Sequence, residues 1–169
     1  MKKTVYFLIF VLLFSLMLPS CAEKNLVSCR EILEELKDAE IGLPAGKTYD
    51  LKADAGEDEY LPEKLLSALF GEGATPPMRC GWLDIALFLP TSAHPCEFAV
   101  ILCNSDDTAT DTARLLCRRL DSIRTLKQNG EYSEILEGAR VTVIRNYVLL
   151  IISSDAENAV KTAARKVQS

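Results

Sequence analysis

The segment His94-Pro95-Cys96 places a base two residues away from a nucleophile. His94 is the single histidine of the chain, and in an extended backbone residues two positions apart project to the same side. A thiol beside an imidazole is the arrangement of a nucleophile activated by a base. However, the sequence offers no third group to orient the imidazole, and a proline-containing segment is typical of an exposed turn. The pattern therefore favours a loop histidine beside a structural or incidental cysteine over a thiol enzyme.

The remaining cysteines bear on disulfide bonding. The chain has six cysteines, and the five that follow Cys21 cannot all pair with one another because their number is odd. They are Cys29, Cys80, Cys96, Cys103 and Cys117. Cys80 precedes a predicted strand and Cys103 ends the predicted hairpin partner, so Cys80–Cys103 is the best candidate for a disulfide. Cys117 falls on the apolar stripe of a predicted helix, and we expect it to be a small core residue.

The sequence gives little support for a metal or cofactor site. Residues 47–60 are polar and acidic, but they lack the D-x-D-x-D-G spacing of a calcium loop, so a solvated loop is expected. One histidine and no C-x-x-C pair leave a zinc ion almost without ligands. The chain contains no G-x-S-x-G, Walker or dinucleotide-binding motif. The sequence thus predicts no metal, no cofactor and no enzymatic activity.

The N-terminal residues have the pattern of an export signal. Two lysines precede an apolar run over 5–18, whose 14 residues would span about 21 Å as a helix, short of the roughly 30 Å hydrocarbon core. Leu18-Pro19-Ser20-Cys21 then resembles the bacterial lipobox, which implies cleavage before Cys21 and a diacylglyceryl thioether on its sulfur. We interpret 1–20 as a lipoprotein signal peptide and 21–27 as lipidated cysteine and linker. An ordinary signal peptide or a retained N-terminal anchor are the alternatives.

Charge limits the partners of the mature chain. The net charge is −5, and removal of residues 1–20 takes away two lysines, which leaves 17 basic against 24 acidic residues and a net charge of −7. An acidic surface repels phosphate backbones and anionic lipid headgroups. We therefore expect no nucleic-acid partner. Association with the extracytoplasmic face of the cell membrane would depend on the acyl chains, of which two or three hold firmly.

Residues 28–169 are expected to form a single α+β domain. Apolar periodicity and turn residues predict helix, helix, strand, strand, helix, strand, strand, helix. The expected positions are helices near Ser28 and Pro62, strands 82–89 and 98–103, a helix to Lys127, strands 140–145 and 147–152, and a last helix capped by Ser154. Two hairpins predict a mainly antiparallel four-stranded sheet with helices packed on one face and two extra N-terminal helices.

Two segments carry a resemblance to a known family. Glu97-Phe98-Ala99-Val100-Ile101, the charged helix after it and Asn146-Tyr147-Val148-Leu149-Leu150-Ile151-Ile152-Ser153 resemble small extracytoplasmic lipoproteins of Gram-positive, clostridia-like bacteria. That family is defined only as a domain of unknown function. The resemblance covers about 60–167, the expected core of the domain, and departs at Arg145, where the family commonly has glycine. It implies export and a membrane anchor, and it supplies no catalytic residue.

Together these features predict a membrane-anchored extracytoplasmic lipoprotein. The favoured interpretation is a non-enzymatic accessory domain that binds a protein or another component of the cell envelope. The alternative is a small-ligand-binding lipoprotein with a groove between the sheet and the N-terminal helices. A concave site on the folded domain would support the small-ligand-binding alternative.

Overall fold

A computed structural model describes residues 26–71, 81–127 and 130–169 of the chain. In chain order its elements are α1 Cys29–Ala39, β1 Gly46–Asp50, α2 Glu63–Phe70, β2 Trp82–Pro90, β3 Glu97–Cys103, α3 Asp106–Lys127, α4 Ser133–Gly138, β4 Arg140–Ile144, β5 Tyr147–Ile152 and α5 Ala156–Gln168. The expected signal peptide, Cys21 and Cys80 lie outside the described residues.

The strands form one antiparallel sheet in the order β1-β2-β3-β5-β4. The predicted α+β class is confirmed, and both predicted hairpins are present. The described part of the sheet nevertheless has five strands rather than four, because Gly46–Asp50 pairs with the end of β2. This edge strand is polar and none of its residues is fully buried, so it lacks the apolar alternation that identifies a strand in a sequence.

Helices cover both faces of the sheet, and the prediction of helices on one face was wrong. On one face α2, α3 and α4 pack over side chains such as Ile101 and Leu150, and on the other α1 and α5 pack over neighbours such as Val100 and Leu149. Every residue of β3 and of β5 is buried. A strand that is apolar on both sides requires cover on both sides, which explains the second helical layer.

The helix boundaries follow from local capping, with one correction. Ser28 caps α1 as predicted, since its hydroxyl accepts a hydrogen bond from a backbone N–H of the first turn. The cap of α5 is Asp155, which accepts from the Asn158 N–H at 3.0 Å, and not Ser154. The Ser154 hydroxyl instead donates to the Glu40 carboxylate at 2.8 Å, and this bond joins the end of β5 to the end of α1.

A β-bulge near the start of β2 changes which side chains point inward. Trp82 pairs with Cys103, whereas Asp84 pairs with Leu102, so Leu83 is an extra residue. Leu83 is 52% exposed, although strict alternation predicts it on the buried face. The bulge turns Asp84 toward the N-terminus of α1, where it is 3% exposed.

Candidate functional site

An open cleft of about 270 Å³ lies at the end of the sheet where β2 ends and β3 begins. The end of α2, the β2–β3 loop, the first residue of β3 and the middle of α3 all contribute side chains to it. It is lined by Leu69, Leu89, Pro90, Ser92, His94, Pro95, Glu97, Arg119 and Ile123. Aliphatic and proline side chains therefore surround a small number of polar groups, the usual composition of a binding site.

A buried ion pair is the central polar feature of the cleft. Glu97 is only 3% exposed, and its carboxylate accepts two hydrogen bonds from Arg119 of α3. The Arg119 Nη2 lies 2.8 Å from Oε2, and the Nε lies 3.2 Å from Oε1. This two-bond geometry is the one in which a guanidinium best neutralises a buried carboxylate. The cleft thus holds a donor and an acceptor side by side without a net charge.

His94 contributes an oriented imidazole to the rim. Its Nδ1 accepts a hydrogen bond from the backbone N–H of Cys96 at 3.1 Å, and its ring packs edge-on against Tyr132 with 4.8 Å between ring centroids. In a neutral imidazole whose Nδ1 accepts, the proton is on Nε2. His94 lies in the loop between the strands, as the sequence predicts. It presents an N–H donor there.

The structure does not bring His94 and Cys96 together as a catalytic dyad. The Cys96 side chain is buried with the residues of α1 and α5, whereas His94 lines the cleft on the α3 side. Burial raises the pKa of the Cys96 thiol to about 12, and the carboxylates of Glu40 and Glu97 add to the rise. The segment was expected to be an exposed turn, but Pro95 and Cys96 are buried, and a thiol of this kind is a poor nucleophile at neutral pH.

Of the other thiols within the described residues, two are buried and one is exposed. Cys29 is buried beside Asp84, and burial followed by that carboxylate raises its pKa strongly. Cys103 is buried 3.5 Å from the Thr112 hydroxyl, and burial raises its pKa as well. Cys117 is exposed, so its assignment to the core was wrong. The inward stripe of α3 runs through Leu116 and Leu120 instead, and Cys117 is rotated about 100° from Leu116 around the helix.

The candidate disulfide stays a prediction, because Cys80 lies outside the described residues. Its neighbour Gly81 accepts a hydrogen bond from the backbone N–H of Asn104 at 2.9 Å. The residue after Cys80 therefore lies beside the residue after Cys103.

Thiol alkylation provides a test of this distribution. In the reduced native protein we expect a maleimide to modify Cys117 rapidly, and Cys29, Cys96 and Cys103 only after denaturation, because burial both excludes the reagent and raises their pKa values. Peptide mapping by mass spectrometry at several reaction times would give the order. Rapid native modification of Cys96 would contradict its placement beneath α1.

A second buried carboxylate holds the start of α1 against the sheet. Asp84 Oδ2 accepts from the Cys29 backbone N–H at 2.8 Å and from the Lys52 Nζ at 2.9 Å. This bond to Asp84 is the largest cause of a raised pKa at Lys52. Next to it, the Tyr147 hydroxyl donates to the Val27 carbonyl at 2.6 Å. These contacts fix the segment that leads back toward Cys21, and their role is positional.

The acidic side chains of segment 47–60 bond to other groups of the chain and are not arranged around an ion. Asp50 accepts the backbone N–H of Lys52 at 2.7 Å, and Glu59 pairs with both terminal nitrogens of Arg30 at 2.6 and 2.7 Å. The bond to Arg30 lowers the pKa of Glu59. Across 26–71, 81–127 and 130–169, no group of three or more His, Cys, Asp or Glu side chains is placed to hold a metal ion. Within the same residues no helix is long and apolar enough to span a bilayer.

The fold and the cleft define an α+β domain with two helical layers and an open site built around an ion pair. Comparison of the chain with protein families, with curated proteins and with solved structures gives no match. The resemblance to the lipoprotein family of clostridia-like bacteria therefore stays a prediction.

Proposed function

We propose that the chain is a lipoprotein, held on the extracytoplasmic face of the cell membrane through Cys21, whose domain binds an extended segment of another envelope protein. The observation that carries the binding role is the cleft, in which the Glu97–Arg119 pair is set among apolar side chains. The lipobox-like segment ending at Cys21 supports the anchor.

The geometry favours binding over catalysis. The imidazole of His94 has its Nδ1 engaged by backbone, and the nearest thiol in sequence lies on the other face with a raised pKa. Glu97 and Arg119 neutralise each other in a bidentate pair. Groups held in this way orient a ligand, whereas a nucleophile requires an adjacent free base.

The size and polarity of the cleft favour a peptide. A volume of about 270 Å³ falls just below the roughly 300–1,000 Å³ of sites that enclose a whole small ligand. It suits one apolar side chain, which the walls formed by Leu69, Leu89 and Ile123 would contact. A peptide backbone offers one acceptor and one donor per residue, and Arg119 and Glu97 supply their complements. Because the pair is neutral overall, the cleft has no preference for a charged ligand.

A small-ligand-binding lipoprotein is the second candidate, and the concave site itself is the observation in its favour. The cleft is not where the sequence places it, however. Of the two N-terminal helices only α2 contributes, through Leu69, and α1 covers the opposite face. The open form of the site favours a protruding part of a larger molecule over an enclosed metabolite.

The anchor is tested by metabolic labelling of cells with a palmitate analogue. The unmodified chain should incorporate the label, and Cys21→Ala should lose it entirely, because a thioether requires that sulfur. Cys117→Ser is the matched control, since it removes an exposed cysteine elsewhere, and it should label like the unmodified chain. Persistent labelling of the Cys21 variant would refute lipid attachment there.

The binding role is tested by selection of phage-displayed random peptides on the processed chain in nanodiscs. Selected peptides should share one apolar residue and lose binding at least tenfold to Ser92→Trp, since Ser92 is exposed at the cleft and an indole would fill it. Asp107→Trp, an exposed position at the start of α3, should bind like the unmodified chain. Peptides indifferent to Ser92→Trp, or cell-wall glycan fragments that bind the cleft in their place, would overturn the peptide assignment.

A further inference from the structure

We infer that the anchored domain presents its cleft away from the bilayer, because Val27, from which residues 21–26 (the tether) lead back to Cys21, lies at the opposite end of the sheet from the cleft and on the opposite face. The inference rests on the lipid anchor proposed above. It identifies the partner as one that approaches from the side of the envelope remote from the membrane.

The tether end is fixed by one buried and one partly buried hydrogen bond. The Val27 carbonyl accepts from the hydroxyl of Tyr147, the first residue of β5. Two residues later the Cys29 N–H donates to Asp84 near the start of β2. Tyr147 and Asp84 both pair with Leu102 of β3. The chain therefore leaves the domain toward Cys21 beside the C-terminal end of β3.

The cleft lies at the N-terminal end of the same strand. Glu97 begins β3 and pairs with Ile152, the last residue of β5, while Pro90 ends β2. Glu97 and Leu102 are five residue steps apart along β3, which corresponds to about 17 Å of strand. The side chains of the cleft belong to the layer that contains α3, whereas Val27 packs in the layer of α1 and α5.

The reach of the tether is about the same as this separation. Five residue steps connect Cys21 to Leu26, and a fully extended chain covers at most about 18 Å in that length. A tether of this reach keeps the Val27 end close to the headgroups. The cleft could contact the bilayer only if the domain lay flat on it or turned over its own attachment point. The net charge of −7 in the mature chain also disfavours a domain lying flat on an anionic surface.

Energy transfer to a labelled membrane distinguishes the two ends. An azide-bearing residue at Ser92 reports on the cleft end, and one at Asp107, just after β3, reports on the tether end. Both positions are exposed, so a dye attached there leaves the core intact. The lipidated chain, purified from membranes, is reconstituted into vesicles of phosphatidylcholine and phosphatidylglycerol that contain an acceptor lipid.

We expect the ratio of transfer efficiency at Asp107 to that at Ser92 to exceed one. A ratio of one or below would overturn the orientation, since it would mean that the cleft end reaches the bilayer as often as the tether end. Flotation of the vesicles separates this failure from failure of the anchor. If the chain does not float with the vesicles, the lipid attachment is refuted, and if it floats with the wrong ratio, only the orientation is.

Discussion

Replacing Arg119 with alanine is expected to lower the free energy of unfolding by about 3 kcal/mol, because it leaves the buried Glu97 carboxylate without a counter-ion. Loss of one partner of a buried pair costs roughly 3–5 kcal/mol in general. The Arg119 side chain is 24% exposed, so water partly replaces it and the lower end applies. Urea denaturation followed by circular dichroism would measure the change.

The adjacent arginine provides the control. Arg118 is exposed on the same helix, and Arg118→Ala should shift stability by no more than about 0.5 kcal/mol. The double variant Glu97→Leu with Arg119→Met should recover most of the loss, since apolar replacement of a buried pair is often neutral. It should not recover peptide binding, because both hydrogen-bonding groups are gone. Equal effects of Arg118→Ala and Arg119→Ala would show that the ion pair contributes nothing.

The two arginines also show why the ion pair could not be predicted from the sequence. Arg118 and Arg119 are neighbours with the same chemistry, and they differ by about 100° around the helix. Only the rotation of α3 on the sheet decides which of them reaches Glu97. Glu97 gave a partial signal, as an acid at the start of an otherwise apolar strand. Its partner is 22 residues away, and no local pattern specifies that distance.

Local signals, in contrast, were sufficient for most of the elements. Tyr147–Ile152 is apolar throughout and is a central strand, and Ser28 caps α1 through its own hydroxyl. The predictions failed where a feature depends on pairing or packing with an element that is distant in sequence. The polar edge strand Gly46–Asp50 is defined by its pairing with β2 alone, and the bulge at Leu83 by its pairing with β3. The assignment of helices to faces is of the same kind, because apolar stripes show that a helix is covered and not which layer covers it.

Replacing Asp84 with alanine is expected to lower the free energy of unfolding by about 3 kcal/mol, comparable to the loss at Arg119. The carboxylate accepts from the backbone N–H groups of Cys29 and Ile85 and from Lys52. Its removal leaves a buried backbone donor at Cys29 unsatisfied, which alone costs about 1–3 kcal/mol. Lys52 is 62% exposed and regains water in Asp84→Ala, so its lost ion pair adds little to this cost.

The destabilisation by Asp84→Ala should be largest where the chain leads back toward Cys21. Hydrogen exchange would show which amides are affected. We expect faster amide exchange in the first turn of α1, while the amides of α3 keep their protection relative to the global stability. Asp111→Ala, which removes an exposed carboxylate paired with Arg114, should leave both helices unchanged. An acceleration in α1 no greater than that in α3 would mean that Asp84 stabilises the domain as a whole and gives no added stability to the start of α1. Preferential loosening of α1 would instead make this carboxylate the residue that connects the segment leading to Cys21 rigidly to the sheet, and so the one on which the inferred direction of the cleft depends.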